Sequence, residues 1–557
     1  MLPSTAFLPA LALTAALAQN QPFALKAKAD FDKVDTAPIP ELRETQACVQ
    51  SHAALLAIAR PEERYLVHYR KGYCELFGAL ASDDSSSYQA AARDFIQAVA
   101  ASRTKATFPA GLRILPEIAR LERGRTADSY PDLERELEAA LAEPTCGPSP
   151  VMELHFCQAL VETGRLWLGW LAMRREDLER AARVLEPLAG APWSTWISGR
   201  RALASGRFAD ASAAFEKALK AWEAAEKASY PDVATLLGPR PDLGAHYYQL
   251  GQAQFALDRF EQAVTSFDLA VKSSPQLSQA IFLRAKAKEA LGLVQPALAD
   301  YSLAPQTARS ANDTSWPIGD ASYRRGLLLY RAKDFTRAES AFATAQGSRL
   351  GETSQPDIAA WRAMVAVAAG SCQNADLLES SARAATDSFP KPEAEALIFS
   401  CRLTQASTPE QLVALEKSFA GRAGQDQIRR LHDRLADLYA DQGVAAEDRK
   451  DIPGAIEAYR RAVQWNPRHS KARFNLGAIF LEEKRYPQAE VEYRALVEVD
   501  PNDFEAHYWL AESILAQKPP PTRRDEACAL LRRSLNIADV EKQAQYKKAL
   551  ASALCGG

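Results

Sequence analysis

The chain has 557 residues, several times the length of a typical single domain, which points to several domains or to one repeat array. Hydrophobic residues make up 47% and charged residues 25% of the chain, a balance typical of soluble globular proteins. The formal net charge of −3 provides no general attraction for nucleic acid or anionic lipid, and no run of five like charges occurs. We therefore expect no nucleic-acid partner.

The chain begins with the pattern of a secretory signal peptide, predicted over residues 1–18. The segment from Phe7 to Ala18 is apolar, and no charged side chain precedes Lys26. Ala16 and Ala18 form a small-x-small site, which predicts cleavage after Ala18 and a periplasmic or secreted mature chain. The alternative is an apolar first helix of a cytoplasmic protein, since no Lys or Arg precedes the apolar run. No later segment is apolar enough to span a bilayer, so we expect no integral membrane segment in the mature chain.

A pattern of 34 residues recurs along the chain. In the clearest copy, residues 470–503, Gly477 and Ala489 are small where two helices must approach closely, and Pro501 ends the second helix. Further copies begin at Pro192, Gly244, Ser278, Gly319, Arg429 and Phe504. The Arg429 copy is predicted to carry seven extra residues, 444–450, between its helices. The Phe504 copy is predicted to carry four extra residues around Pro520.

The spacing and residue types of these copies resemble the tetratricopeptide repeat. This resemblance implies an all-α fold, a right-handed superhelical solenoid of antiparallel helix hairpins. The pattern weakens before the first repeat block and between the blocks, and weak outer repeats are expected because a terminal repeat has one solvated face. After the signal peptide, the predicted domains are a divergent helical region (19–150), a repeat block (151–355), degenerate hairpins (356–428) and a second repeat block with a capping helix (429–557).

In the family that the chain resembles, the first helices of successive repeats line a concave groove that receives a peptide or a partner helix. Repeat positions 2, 5, 9, 12 and 13 face this groove. The resemblance implies groove candidates that are aromatic or polar residues of the first helices: Tyr248, Gln252, Phe255, Phe282, Tyr323, Tyr330, Arg430, Arg434, Lys471, Phe474, Asn475 and Tyr508. Asn475 lies where peptide-binding members often hold the ligand backbone. The alternative for the aromatic residues is packing alone.

Eight cysteines follow the predicted signal peptide, and an even number in an exported protein suggests disulfides. Two cysteines lie at equal distances on either side of Pro61, in the break between two predicted helices, and another two lie at one end of the last predicted hairpin. Pairing each cysteine with the one nearest to it in the sequence predicts the disulfides Cys48–Cys74, Cys146–Cys157, Cys372–Cys401 and Cys528–Cys555. The alternative is eight buried free thiols in a cytoplasmic helical protein.

The sequence contains no motif of a catalytic site: it has no Gly-rich phosphate loop, no HExxH and no GxSxG. His155 with Cys146 and Cys157 is the one candidate metal cluster, and it lacks a fourth ligand at a suitable spacing. We therefore expect no catalytic residues, no metal and no cofactor. The leading interpretation is an exported, non-catalytic scaffold or adaptor that binds partner proteins or peptides. The alternative makes residues 19–150 an enzymatic or envelope-binding module, with the repeats recruiting its substrate.

Overall fold

A glycine and an aromatic ring determine how the two helices of a repeat cross. A β-carbon on Gly251 would lie 2.6 Å from the ring of Phe267, so any larger residue would push the second helix away. Ala263 and Ala270, on the same second helix, are fully buried against the first. The same crossing joins Gly199 to Phe215, Gly326 to Phe342, Gly443 to Tyr459 and Gly477 to Tyr493.

The structure is a computed structural model that describes residues 29–30, 42–61, 63–82, 84–101, 130–142, 146, 154–226, 238–239, 241–310, 313, 316, 318–538, 540–553 and 555. The predicted signal peptide lies outside these residues. Within them the regular structure is helical and no strand occurs. The chain divides into two compact units, Met1–Trp316 and Pro317–Gly557.

The first unit contains twelve described helices: α1 (Leu42–Ile58), α2 (Arg64–Ser82), α3 (Ser85–Ala101), α4 (Tyr130–Ala142), α5 (Leu154–Arg174), α6 (Leu178–Leu185), α7 (Pro192–Ala204), α8 (Phe208–Glu226), α9 (Leu243–Ala256), α10 (Phe260–Ser273), α11 (Ser278–Ala290) and α12 (Val294–Ser310). Each helix packs against the next in sequence from α1 to α3 and from α4 to α12. Short turns between paired helices make them antiparallel hairpins.

The second unit contains thirteen described helices: α13 (Ile318–Arg331), α14 (Phe335–Gln346), α15 (Gln355–Ala368), α16 (Ala375–Ala384), α17 (Lys391–Gln405), α18 (Pro409–Ser418), α19 (Gln425–Asp448), α20 (Ile452–Trp465), α21 (Ser470–Glu482), α22 (Tyr486–Val499), α23 (Phe504–Ala516), α24 (Pro521–Ile537) and α25 (Val540–Ser552). Every helix packs against its neighbour in sequence. The predicted all-α fold of stacked helix hairpins is confirmed.

The hairpin turns repeat with the same backbone geometry. The second residue after the first helix is a glycine or another residue with a positive φ angle, as at Asp258 (56°) and Lys484 (61°). This residue is separated by 34 positions in successive repeats, from Lys450 to Lys484 and from Lys484 to Lys518. The turn therefore marks the repeat register independently of the glycine crossing.

The glycine crossing and the positive-φ turn residue both correct the register predicted for the copy that begins at Arg429. Helix α19 runs without a break to Asp448, so residues 444–450 are not an insertion between helices. Gly443 crosses the ring of Tyr459, and a β-carbon there would lie 2.5 Å from it. The repeat is therefore a regular unit of residues 436–469, and the extra residues lengthen its first helix at the amino end.

The prediction failed because Ala436 and Gly443 are both small and lie seven residues apart, two turns along one helix face. Either residue could form the crossing, and the sequence alone does not choose between them. The corrected register places Arg430 and Arg434 ahead of the first repeat position, in the extension of α19.

The amino-terminal region contains a hairpin of the same kind. A β-carbon on Gly72 would lie 3.0 Å from the ring of Phe95, and Ala91 and Ala98 are buried beside it. Helices α2 and α3 therefore cross as the helices of the repeats do. The predicted boundaries at 150, 355 and 428 stay predictions.

Four disulfides close local loops, and they join the cysteine pairs that the sequence predicts. Cys48–Cys74 links α1 to α2, and Cys528–Cys555 links α24 to the residues after α25. The other two are Cys146–Cys157 and Cys372–Cys401. Each of the eight cysteines is thus disulfide-bonded.

Candidate partner-binding surfaces

Repeat positions 2, 5, 9, 12 and 13 lie on one side of each first helix, because they are spaced by three or four residues. We call this side the inner face. In the first unit, side chains at these positions of α9 and α11 contact one another. The Tyr248 hydroxyl donates to Oε1 of Gln279 at 2.9 Å, across the two helices.

Tyr248 is held in place by its neighbours on the inner face. The amide of Gln252, one turn along α9, donates to the Tyr248 hydroxyl at 3.0 Å. Burial raises the pKa of Tyr248 to about 12, so its hydroxyl stays protonated and donates to Gln279 at neutral pH. The predicted groove residues Tyr248 and Gln252 therefore belong to one hydrogen-bonded group.

Two further predicted residues, Phe255 and Phe282, meet around a lysine that the sequence analysis missed. The Lys286 ammonium lies 5.6 Å from the ring centre of Phe255 and 5.8 Å from that of Phe282. All three side chains are partly exposed. We call Tyr248, Gln252, Phe255, Phe282 and Lys286 the lysine–aromatic surface.

Lys286 differs from the cations beside it on α11. Arg284 and Lys288 both pair with the buried carboxylate of Asp300, at 2.7 Å and 2.8 Å. Among the described residues no carboxylate lies within ion-pair distance of Lys286, and aromatic rings are its neighbours. Its position 9 on the inner face was the signal that could have identified it from the sequence.

The predicted aromatic residues of the second unit lie against other rings. Tyr323 packs edge-on to Phe342, with ring centres 5.8 Å apart, and Phe474 packs on Tyr493 at 5.9 Å. Tyr508 stacks on the ring of Tyr546 in the last helix, with centres 4.5 Å apart. In these positions the rings contribute to packing between neighbouring helices.

Tyr330 contributes to packing as well as to a polar contact. Its hydroxyl donates to Glu393 on α17 at 2.9 Å, and its ring lies 5.1 Å from that of Trp361. Burial and the bond to Glu393 both raise the pKa of Tyr330, with burial the larger effect. The side chain therefore ties α13 to α17.

The predicted polar residues have partners within the second unit. Lys471 pairs with Asp441 at 3.0 Å, and both side chains are exposed. The Asn475 amide donates to the hydroxyl of Tyr459 at 2.9 Å. A ligand backbone would thus compete with Tyr459 for the Asn475 amide. The assignment of Arg430 and Arg434 to the groove stays a prediction.

A cleft of about 540 Å³ lies between α1, α2 and the start of α3. The buried carboxyl of Glu75 lines it, and Lys71 pairs with both Glu75 (2.6 Å) and Asp94 (2.5 Å). Burial is the largest cause that raises the pKa of Glu75, and the nearby charge of Asp94 adds to it. His68 completes the cluster through a contact of 2.7 Å with Asp94. The sequence analysis did not identify this cluster, because its members belong to two helices.

One group of three metal-ligating side chains occurs in the part of the chain that is described: Cys48, His52 and Cys74, all buried. Both sulfur atoms are used in the disulfide between α1 and α2. The ring Nδ1 of His52 lies 2.9 Å from the backbone oxygen of Cys48. The group is thus a disulfide packed against a histidine in this structure, and the side chain of His155 lies outside the described residues.

Three family models of the tetratricopeptide repeat match the chain, over residues 198–238, 247–277 and 446–517. The second match begins within α9 and covers α10, and it includes Tyr248, Gln252 and Phe255 of the lysine–aromatic surface. The third includes the end of α19, for which the structure corrects the register. No curated protein matches the sequence.

Several solved structures are similar to the chain at low identity. The complex of the TPR2AB domain of yeast Sti1 with pHSP90 is 14% identical, covers 56% of this chain and 98% of that chain, and has a TM-score of 0.21. BtubC from P. vanneervenii is 18% identical, covers 41% and 89%, and has a TM-score of 0.28. A tetratricopeptide repeat protein from Parabacteroides merdae is 15% identical, covers 58% and 98%, and has a TM-score of 0.25.

Proposed function

We propose that this chain, which carries tetratricopeptide repeats, is an exported scaffold that binds partner proteins through the inner faces of its repeats. Proteins with this fold are generally non-catalytic interaction scaffolds, and we propose no catalytic residues here. The proposal depends on one observation above the others. The lysine–aromatic surface offers an ammonium group, without an ion-pair partner among the described residues, between partly exposed aromatic rings.

The chemistry of this surface defines the partner segment that would fit it. Phe255 and Phe282 provide apolar area for a hydrophobic side chain, while Lys286 provides a cation for a carboxylate next to it. Gln252, whose amide nitrogen donates to Tyr248, provides a carbonyl oxygen that can accept from an extended backbone. We therefore propose an extended segment with an acidic residue beside an apolar one.

Preorganisation supports binding at this site. The bonds from Gln252 to Tyr248 and from Tyr248 to Gln279 fix the polar side chains before a partner arrives. On the neighbouring helix α11, Phe282 is fixed by stacking on Trp316, with ring centres 4.9 Å apart. Ordering these side chains in advance lowers the entropy that binding costs.

Site-specific photocrosslinking tests the proposal in the native host. A photoreactive residue at Ala290, exposed at position 13 of α11, should give discrete adducts with a partner protein. The same residue at Leu269, exposed on the second helix α10, is the positional control. We expect Lys286→Glu to reduce the Ala290 adducts about tenfold, since a carboxylate there would repel an acidic segment.

Lys272→Glu on α10 is the matched charge reversal and should leave the adducts unchanged. Equal adducts from Ala290 and Leu269, or equal loss in the two charge reversals, would show that the inner face does not select the partner. A synthetic peptide from the adduct, with its acidic residue changed to glutamine, should then bind more weakly.

Export is the second part of the proposal. Four disulfides are compatible with an oxidising compartment, and no described helix is long and apolar enough to cross a membrane. The protein from the periplasmic fraction should begin at Gln19 and show no titratable thiol before reduction. A cytoplasmic protein with eight free thiols would contradict it.

The hairpin geometry of α2 and α3 supports one repeat scaffold over the alternative of a separate module in residues 19–150. Gly72 and Phe95 cross there as glycine and aromatic residues do in the repeats. We therefore propose that this region extends the scaffold.

A further inference from the structure

Within the second unit, the inner face of the first helices α19, α21 and α23 has a charge opposite to that of the lysine–aromatic surface. In the corrected register, positions 2, 5, 9, 12 and 13 of α19, α21 and α23 carry one cation, Lys471. The same positions carry six carboxylates: Asp437, Glu447, Asp448, Glu482, Glu505 and Glu512. Lys471 is paired with Asp441, which lies outside these positions. The face is therefore strongly acidic.

Several of these carboxylates lie where they oppose the helix dipole. Glu447 and Asp448 end α19, and Glu482 ends α21. A helix carboxyl end carries partial negative charge, so acidic residues there are unfavourable and basic residues are favoured. Helices α19, α21 and α23 have no basic residue in the last turn, and neither does α9, whereas the first helices α7, α11 and α13 each have one.

A buried hydroxyl without a partner marks the same face. In two repeats a polar side chain of a first helix bonds the hydroxyl of the tyrosine at position 24. The Tyr301 hydroxyl donates to Glu289, at position 12 of α11, at 2.5 Å, and the Tyr459 hydroxyl accepts from Asn475 on the next first helix, α21, at 2.9 Å. The hydroxyl thus has a hydrogen-bond partner on a first helix in both repeats.

The next repeat keeps the tyrosine and loses both partners. Position 12 of α21 is Leu481. On the next first helix, α23, the position that corresponds to Asn475 is Trp509, whose ring stacks on that of Tyr493. Tyr493 is fully buried, and its hydroxyl has no hydrogen-bond partner among the described residues. Glu482, one residue beyond Leu481, is the charged group that raises the pKa of Tyr493 after burial. A buried hydroxyl left unpaired costs free energy unless a ligand or water satisfies it.

Glu512 is a second group without a partner. It lies at position 9 of α23, one turn from Tyr508, and burial alone raises the pKa of its carboxyl. No described cation lies within ion-pair distance of Glu512, and Lys542 on the last helix pairs with Glu505 instead. A half-buried carboxylate in this position is suited to a cation supplied from outside the chain.

We propose that the acidic inner face, defined by Glu482, Tyr493 and Glu512, binds a basic segment of a partner protein. A lysine or arginine side chain would donate to Glu482 and to the Tyr493 oxygen, with Glu512 available to a second cation. A divalent ion fits less well, since among the described residues the metal-ligating group of three is the one at Cys48. Carboxylates spread over successive helices suit long cationic side chains. The inference deepens the proposed inner-face binding and concerns the other unit.

Fluorescence anisotropy with the full chain tests this proposal. The probe is a labelled twelve-residue Gly/Ser peptide with three arginines, and its counterpart has three glutamates. We expect the basic peptide to bind at least tenfold more tightly and to weaken as sodium chloride rises from 50 to 300 mM. Glu482→Gln with Glu512→Gln should weaken it at least fivefold.

The charge-matched control is Glu498→Gln with Asp525→Asn, which removes two exposed carboxylates from the second helices α22 and α24. This control variant should bind the basic peptide as tightly as the unchanged protein does. Tyr493→Phe distinguishes an effect on binding from an effect on folding. The hydroxyl that it removes has no hydrogen-bond partner among the described residues, so its loss should not destabilise the fold. We expect it to weaken the basic peptide severalfold while leaving the melting temperature unchanged or higher.

Three results would overturn the proposal. They are equal binding of the two peptides, equal weakening by the control pair, and loss of binding with 2 mM Mg²⁺ at constant ionic strength, which would indicate a metal site. Phe255→Ala, in the first unit, should leave basic-peptide binding unchanged. A chain that binds the basic peptide but gives no adducts at Ala290 would refute the first-unit site alone.

Discussion

At the scale of single residues, close contact between helices depends on glycines that have no room for a side chain. Gly251, Gly326 and Gly477 each lie under an aromatic ring of the partner helix, with 2.6–2.8 Å between the ring and the place of a β-carbon. Glycine within a helix costs stability relative to alanine, so its presence here reflects the crossing and not the helix. The ring on the second helix then fills the space that glycine leaves.

Gly251→Ala should destabilise the first unit although alanine favours helix. The added β-carbon would lie 2.6 Å from Phe267, and we expect a loss of about 1–3 kcal/mol in the free energy of unfolding. Urea unfolding followed by circular dichroism measures it. Gly347→Ala is the control, since a β-carbon there lies 3.8 Å from its nearest neighbour. A more stable Gly251→Ala protein would contradict the crossing.

At the scale of elements, the last helix α25 depends on three contacts with the preceding repeat. Tyr546 is buried and stacks on Tyr508, Lys542 pairs with Glu505, and the disulfide of Cys555 holds the segment after the helix. Among the described helices α25 has a stacked neighbour on one side only, where α24 lies, so we expect it to be less stable than helices with neighbours on both sides. The disulfide therefore adds a covalent link where packing is one-sided.

Replacing both Cys528 and Cys555 by serine should release α25. Their separation of 27 residues corresponds to about 3.5 kcal/mol in the chain-entropy model. We expect amide hydrogens of α25 to exchange faster in hydrogen-exchange mass spectrometry, while those of α21 stay protected. Cys372→Ser with Cys401→Ser should leave α25 unchanged, and equal protection of α25 in all variants would contradict its dependence on the disulfide.

At the scale of the whole molecule, buried histidines limit stability in acid. His246 lies among the rings of Trp193, Trp196 and Trp222, and burial lowers its pKa from 6.5 to about 4. His52 is buried beside Cys48, and burial lowers its pKa to about 4 as well. The unfolded chain therefore binds protons at both histidines before the folded chain does.

Stability should fall as the pH falls from about 6.5 towards 4, by up to roughly 3 kcal/mol for each histidine. Above pH 6.5 neither state binds the proton, so this contribution vanishes. His246→Phe should make the unfolding midpoint of the first unit less dependent on pH, as followed by the fluorescence of the surrounding tryptophans. An unchanged pH dependence in that variant would show that His246 is protonated in the folded state.

Much of the fold could be predicted because its determinants are local. Gly477, Ala489 and Pro501 define a helix pair within 34 residues, and such pairs stack without long-range connections. The disulfide pairing was also predictable, since each bridge closes one short loop. The groove residues were harder to predict, because the spacing that points a side chain to the inner face also suits packing, as Tyr330 shows.

The sequence by itself determined the repeat period, the helical class and the cysteine pairs, because these depend on residues close together along the chain. Tertiary structure decided the register of α19, where Gly443 and not Ala436 meets Tyr459. It also decided which charged and polar groups are left without partners. Lys286 and the Tyr493 hydroxyl have sequence neighbours like those of paired groups, and only contacts between helices show that their partners are missing.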